Sequence, residues 1–97
     1  MPTANVSLQV LPICQGGKNE IYAIVDKAID LIGASGVKYV VGPHETTMEG
    51  DFDLLMDIVK KAQTACIDAG ASSVISHVKI EYDPKGASIN EKLGKYA

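Results

Sequence analysis

Two stretches of this chain carry apolar residues at spacings of three and four. The first holds Ile21, Ile24, Val25, Ala28, Ile29 and Ile32; the second holds Leu55, Ile58, Val59, Ala62, Ala65 and Cys66. Stripes of that period are the buried face of an amphipathic helix. Each helix lies between two short extended runs, so the chain reads strand, helix, strand, strand, helix, strand. Few architectures accept that order. Both strand–helix–strand units should cross over right-handed. Together they give an α+β split βαβ sandwich, a four-stranded antiparallel sheet with two helices on one face.

The punctuation supports this reading. In residues 4–11, Val6, Leu8 and Val10 alternate with Asn5, Ser7 and Gln9, as in a strand with one buried face. Pro12 is expected to end that strand, with Ile13 able to continue the extended path. Asn19 is placed to cap a helix over 20–34, and Gly36 suits a left-handed stop after it. A second strand follows over 37–41, and Gly42-Pro43 turns it into a third over 46–49. Asp51 or Asp53 caps the second helix, which runs to about residue 69. The fourth strand spans 73–80, and Asp83-Pro84-Lys85-Gly86 makes a turn. Ser88-Ile89-Asn90-Glu91 fits a capping box, which predicts a short C-terminal helix. The sheet face away from the helices should hold some combination of Ser7, Gln9, Tyr39, Val41, Thr47 and Ser76. A partly apolar open face of that kind suits pairing with a second copy of the chain.

Ninety-seven residues suffice for one domain, taken as 1–97. The formal charge is −3, and all nine basic residues are lysines. Arginine is the preferred bidentate reader of phosphates and bases, so its absence argues against a nucleic-acid partner. Cys14 and Cys66 do not make a disulfide framework. There is no basic leader followed by an apolar run, and no stretch reaches membrane-spanning length. The expectation is therefore a cytoplasmic protein with no membrane partner.

The stretch Gly42-Pro43-His44-Glu45-Thr46-Thr47-Met48-Glu49-Gly50-Asp51 is more polar than a turn and a short strand require. It is either a solvated face or a site. Two histidines and two cysteines, scattered along the chain, lack the short ligand pair of a structural zinc site. Cys14 has no companion Cys-x-x-Cys and no identifiable base, so it reads as a packed or pocket-lining thiol rather than a nucleophile. No acid–base pair stands out, and the chain reads as a binding protein rather than an enzyme.

Leu8-Gln9-Val10-Leu11-Pro12, Ser35-Gly36-Val37-Lys38-Tyr39 and Thr46-Thr47-Met48-Glu49-Gly50-Asp51, in that order, resemble the small thiamine-binding protein family. The likeness continues through Gly70-Ala71, Lys79-Ile80 and Glu91-Lys92. It departs after the first strand, where Pro12-Ile13-Cys14-Gln15-Gly16 replaces the family's proline, small apolar residue and glycine. The resemblance implies a ferredoxin-like fold and sheet-to-sheet dimers that often pair again into tetramers. It implies no cofactor, and a ligand bound without chemistry: thiamine or its hydroxymethylpyrimidine part.

Thiamine carries a fixed positive thiazolium and an aminopyrimidine with an NH₂ donor beside ring-nitrogen acceptors. Glu49 and Glu45 offer carboxylates for the amino group and the cation. Thr46 and Thr47 can each donate and accept. Tyr22 could stack on a pyrimidine, Cys14 sits where a ligand could be felt, and His77 is a ligand or interface contact. Each has a plainer alternative: strand-forming threonines, a solvated Glu45, an exposed Tyr22. Two rival functions share the fold, namely a regulatory module for another small metabolite and a homo-oligomeric assembly protein.

Overall fold

The computed structural model describes residues 3–89. Its elements are β1 (Ala4–Ile13), α1 (Lys18–Ala34), β2 (Lys38–Val41), β3 (Thr46–Gly50), α2 (Phe52–Asp68) and β4 (Ser73–Tyr82). The sheet order is β2-β3-β1-β4, with every neighbouring pair antiparallel. This is the ferredoxin-like sandwich that the order of helical and extended segments predicts. The short C-terminal helix expected from Ser88 onward lies mostly outside the described residues.

The core forms between the helices and one sheet face. Ala4, Val6, Leu8 and Val10 of β1 meet Met48 of β3, Ile24, Ala28 and Ile32 of α1, and Leu55, Ile58, Val59, Ala62 and Cys66 of α2. The helical stripes are narrower than their sequence suggests: Ile21 is exposed and Ala65 half-buried. Phe52 and Tyr82 pack edge to face at 5.8 Å and tie the start of α2 to the end of β4.

Three local expectations need correction. Pro12 does not end β1, which pairs with β4 through Pro12↔Val74 and Ile13↔Ser73. By Pro12 the strand has outrun β3, whose ladder stops at Leu8↔Thr46, so the proline lies where β1 has one neighbour only. Helix α1 starts earlier than Asn19 would allow. Gly17 is the N-cap in an extended conformation, and its carbonyl accepts the N–H groups of Glu20 and Ile21. Asp51 does cap α2 by position, but through its carbonyl, which accepts from Leu55 N–H at 2.9 Å; its carboxylate makes no cap bond.

Burial pushes the Cys66 thiol above its ordinary value of 9.0. The unfolded thiol therefore ionises first as pH rises. The folded state keeps this contribution below the unfolded value and loses it as pH climbs toward the raised one. Between about pH 8 and pH 10, wild-type stability should fall more steeply than that of Cys66→Ala, by up to about 1.4 kcal/mol per pH unit. Denaturant titrations giving parallel slopes would contradict this.

Candidate functional site

Strand alternation and register sort the polar residues onto two sides of the sheet. Asn5, Ser7, Gln9, Leu11 and Ile13 of β1 share the face away from the helices. Thr47 and Glu49 lie opposite Ser7 and Asn5. Val40 lies opposite Thr47 on the other flank of β3, and Glu81, Lys79, His77 and Ile75 lie opposite Asn5, Ser7, Gln9 and Leu11. Three residues expected on this open face belong to the other. Tyr39 and Val41 register with Met48 and Thr46, and Ser76 turns to α2, where its hydroxyl donates to Gln63 Oε1 at 2.9 Å.

A hollow of about 350 Å³ opens on the face away from the helices. Asn5, Ser7 and Thr47 line it with Val40, Lys79, Glu81 and Ile89. The Ser7 and Thr47 hydroxyls are hydrogen-bonded to each other at 2.8 Å across the β1–β3 ladder. Beside the hollow, Lys79 Nζ stands 3.6 Å from Glu45 Oε2. Lys79 is well solvated and Glu45 half-buried, so the pair orients charge more than it stabilises the fold. Asn5 is buried, and its Nδ2 donates to the carbonyls of Ala4 and Ala87. Glu49 Oε1 accepts the backbone N–H of Ile89 at 2.9 Å. The chain after β4 thus folds back over this end of the open face.

The seven candidate residues do not converge on one point. Thr47 lines the hollow, Glu49 borders it, and Glu45 meets it through Lys79. His77 shares the open face, further along β4 and opposite Gln9. Thr46 is buried on the helix side, because adjacent strand residues point to opposite faces. With Tyr22 and Glu45 it lines a separate groove of about 230 Å³ between α1 and the β2–β3 turn, beside Val25, Ile29 and His44. The Tyr22 ring lies under the Lys18 ammonium, 5.7 Å from its centroid. Cys14 sits beyond the end of β1, its thiol turned to the Gly16 carbonyl, and lines neither cavity.

Sequence reasoning missed Asn5, Ser7, Lys79, Glu81 and Ile89 as site residues. The alternation of Asn5 and Ser7 with buried neighbours was legible, but only the register puts Ser7 against Thr47. Nothing in the sequence announces that Ile89 returns to the sheet. Among the described residues, no group of three or more His, Cys, Asp or Glu is placed to hold a metal ion. Among them, too, no helix is long and apolar enough to cross a membrane. The arrangement offers hydrogen bonds and charge to a small ligand.

A family model described as thiamine-binding protein matches residues 6–97. The UPF0045 protein CPE1503 of Clostridium perfringens is 53% identical over 96 residues, spanning 99% of each chain. A solved structure of the domain of unknown function DUF77 from Bacillus cereus aligns with a TM-score of 0.91 at 46% identity, over 100% of this chain and 93% of its own. A Thermotoga maritima structure, described as that of a candidate thiamine biosynthesis/salvage protein, aligns with a TM-score of 0.88 at 34% identity, over 99% of this chain and 100% of its own.

Proposed function

From the premise that the chain belongs to the thiamine-binding protein family, whose model matches nearly all of it, we propose that its open sheet face binds thiamine or its hydroxymethylpyrimidine part without transforming it. Sequestration, delivery or sensing of the vitamin would be its work. The observation that carries this reading is the Ser7–Thr47 hydroxyl pair in a hollow of about 350 Å³. That volume lies within the usual range for small-ligand sites. Two hydroxyls that already share one hydrogen bond keep further donor and acceptor capacity, which suits an amino group beside a ring nitrogen. Glu45 and Glu81 supply negative charge near the hollow against the thiazolium, and Lys79 tempers it. Tyr22, Thr46 and Cys14 lie away from this hollow and are not assigned to it.

The test is isothermal titration with thiamine, thiamine diphosphate and hydroxymethylpyrimidine. Saturable heat with one of them is the expected result. Thr47→Val keeps the shape and removes one hydroxyl, and should weaken binding about tenfold, the worth of one hydrogen bond left unmade. No heat from any of the three with the wild-type protein would remove the vitamin reading and favour a sensor of another metabolite.

The same face is proposed to pair two copies of the chain. Leu11, Ile13 and Ile75 are exposed there, away from the end covered by Ala87 and Ile89, and Leu11 sits directly opposite Ile75. His77 lies between that apolar end and the hollow, and is assigned to the subunit contact.

A further inference from the structure

Resting on the ligand site just described, we propose that Asn5 and Glu49 are positioning residues. They seat a strap, residues 83–89, across the open face; the seated strap completes the hollow, and ligand and strap therefore stabilise each other.

The strap begins with a tight turn. Asp83 N–H donates to the Thr3 carbonyl at 2.8 Å, Lys85 N–H donates to Asp83 Oδ1 at 2.9 Å, and Gly86 N–H donates to the Asp83 carbonyl at 2.9 Å. Gly86 has φ +124, which a side chain would resist. The chain then doubles back, and Ala87 and Ile89 become 2% and 4% exposed.

Asn5 and Glu49 are direct cross-strand partners. Asn5 Nδ2 donates to the Ala87 carbonyl at 3.3 Å, and Glu49 Oε1 accepts the Ile89 N–H at 2.9 Å. Two adjacent side chains thus grip the strap backbone two residues apart, one as donor and one as acceptor. Such a clamp reads backbone rather than side chains. Ile89, which it seats, is a wall of the hollow together with Asn5 itself.

The strap joins no strand ladder, so it can open without unpairing the sheet. A ligand resting against Ile89 needs the strap closed. By linkage, the ligand must then suppress opening by the same factor by which opening weakens the ligand. Glu49 acts on the ligand through Ile89 rather than by touching it.

The experiment combines amide hydrogen exchange at Ile89 with thiamine titration of the full chain. Thiamine at 100 times its Kd should slow Ile89 exchange about 100-fold. Glu49→Gln keeps an oxygen that can accept the Ile89 N–H, and should bind thiamine within about threefold of wild type. Glu49→Ala removes the acceptor, and should weaken binding about tenfold or more while speeding Ile89 exchange. If Glu49→Gln loses binding as fully as Glu49→Ala while Ile89 exchange is unmoved, the carboxylate touches the ligand and the positioning role is overturned. Thiamine binding to wild type with no change at Ile89 also overturns it and leaves the ligand reading standing. No thiamine binding to wild type overturns both.

Discussion

Leu55→Ala is expected to cost 2–5 kcal/mol, the range for emptying a buried leucine site. Leu55 is fully buried at the start of α2, where the helix leaves β3. Its Cδ2 lies 3.3 Å from where a Cβ on Gly50 would stand, so backbone and side chain already close on each other there. Leu55 belongs to a core built from β1, β3, α1 and α2, so the cavity would open among several elements. At about 4–8 °C per kcal/mol for a domain of this size, the midpoint of thermal unfolding should fall by at least about 8 °C. Leu54→Ala is the control. Leu54 is the adjacent residue, 46% exposed, and its loss should change stability by no more than about 0.5 kcal/mol. Urea unfolding of both variants decides: equal costs would mean that α2 does not present Leu55 to the core.

Ile75→Asp should turn a dimer into a monomer, if copies pair through the open sheet face as proposed. Ile75 is 53% exposed, its partner Leu11 is 39% exposed, and Ile13 beside them is 47% exposed. Burying one such side chain contributes about 1.5–3 kcal/mol, and a two-fold interface contains the substitution twice. An unpaired carboxylate would also lose its water there. The combined loss should weaken association by about 100-fold or more. Light scattering during size-exclusion chromatography reads the outcome, with Ile67→Asp on α2 as the control that should leave assembly unchanged. A wild-type monomer, or an Ile75→Asp protein that stays dimeric, would remove this face as the contact.

The element order was legible because each element has its own period. The 3.6-residue stripes of the two helices and the alternation of Val6, Leu8 and Val10 need no partner to be read. Ends were less legible. Gly17 displaced Asn19 as the cap because an extended backbone carbonyl can start a helix without any side chain. Pro12 stayed in its strand because the sheet is one neighbour short at that position. The candidate site was legible only in part. Thr47, Glu49 and Glu45 do stand on or beside one face, whereas Thr46 had to point the other way once the strand was extended. Which residues oppose them depends on register, a property of pairs of strands that no single stretch encodes. Tyr39, Val41 and Ser76 were misplaced for that reason, and Ser7, rightly set on the open face, was not read as the partner of Thr47.

The ladder between β1 and β4 also bears on how the molecule folds. It joins residues from 60 positions apart (Ile13 with Ser73) to 78 positions apart (Ala4 with Tyr82). β3 reaches β1 sooner along the chain, and closing the larger loop costs additional entropy before any pairing compensates for it. Folding should therefore be slower than in helical proteins of equal size, with β4 docking late. Until it docks, β1 shows an unpaired edge from Ala4 to Ile13, which is a template for the same strand of another copy. Refolding yield should fall as protein concentration rises, even though the finished sheet hides that edge.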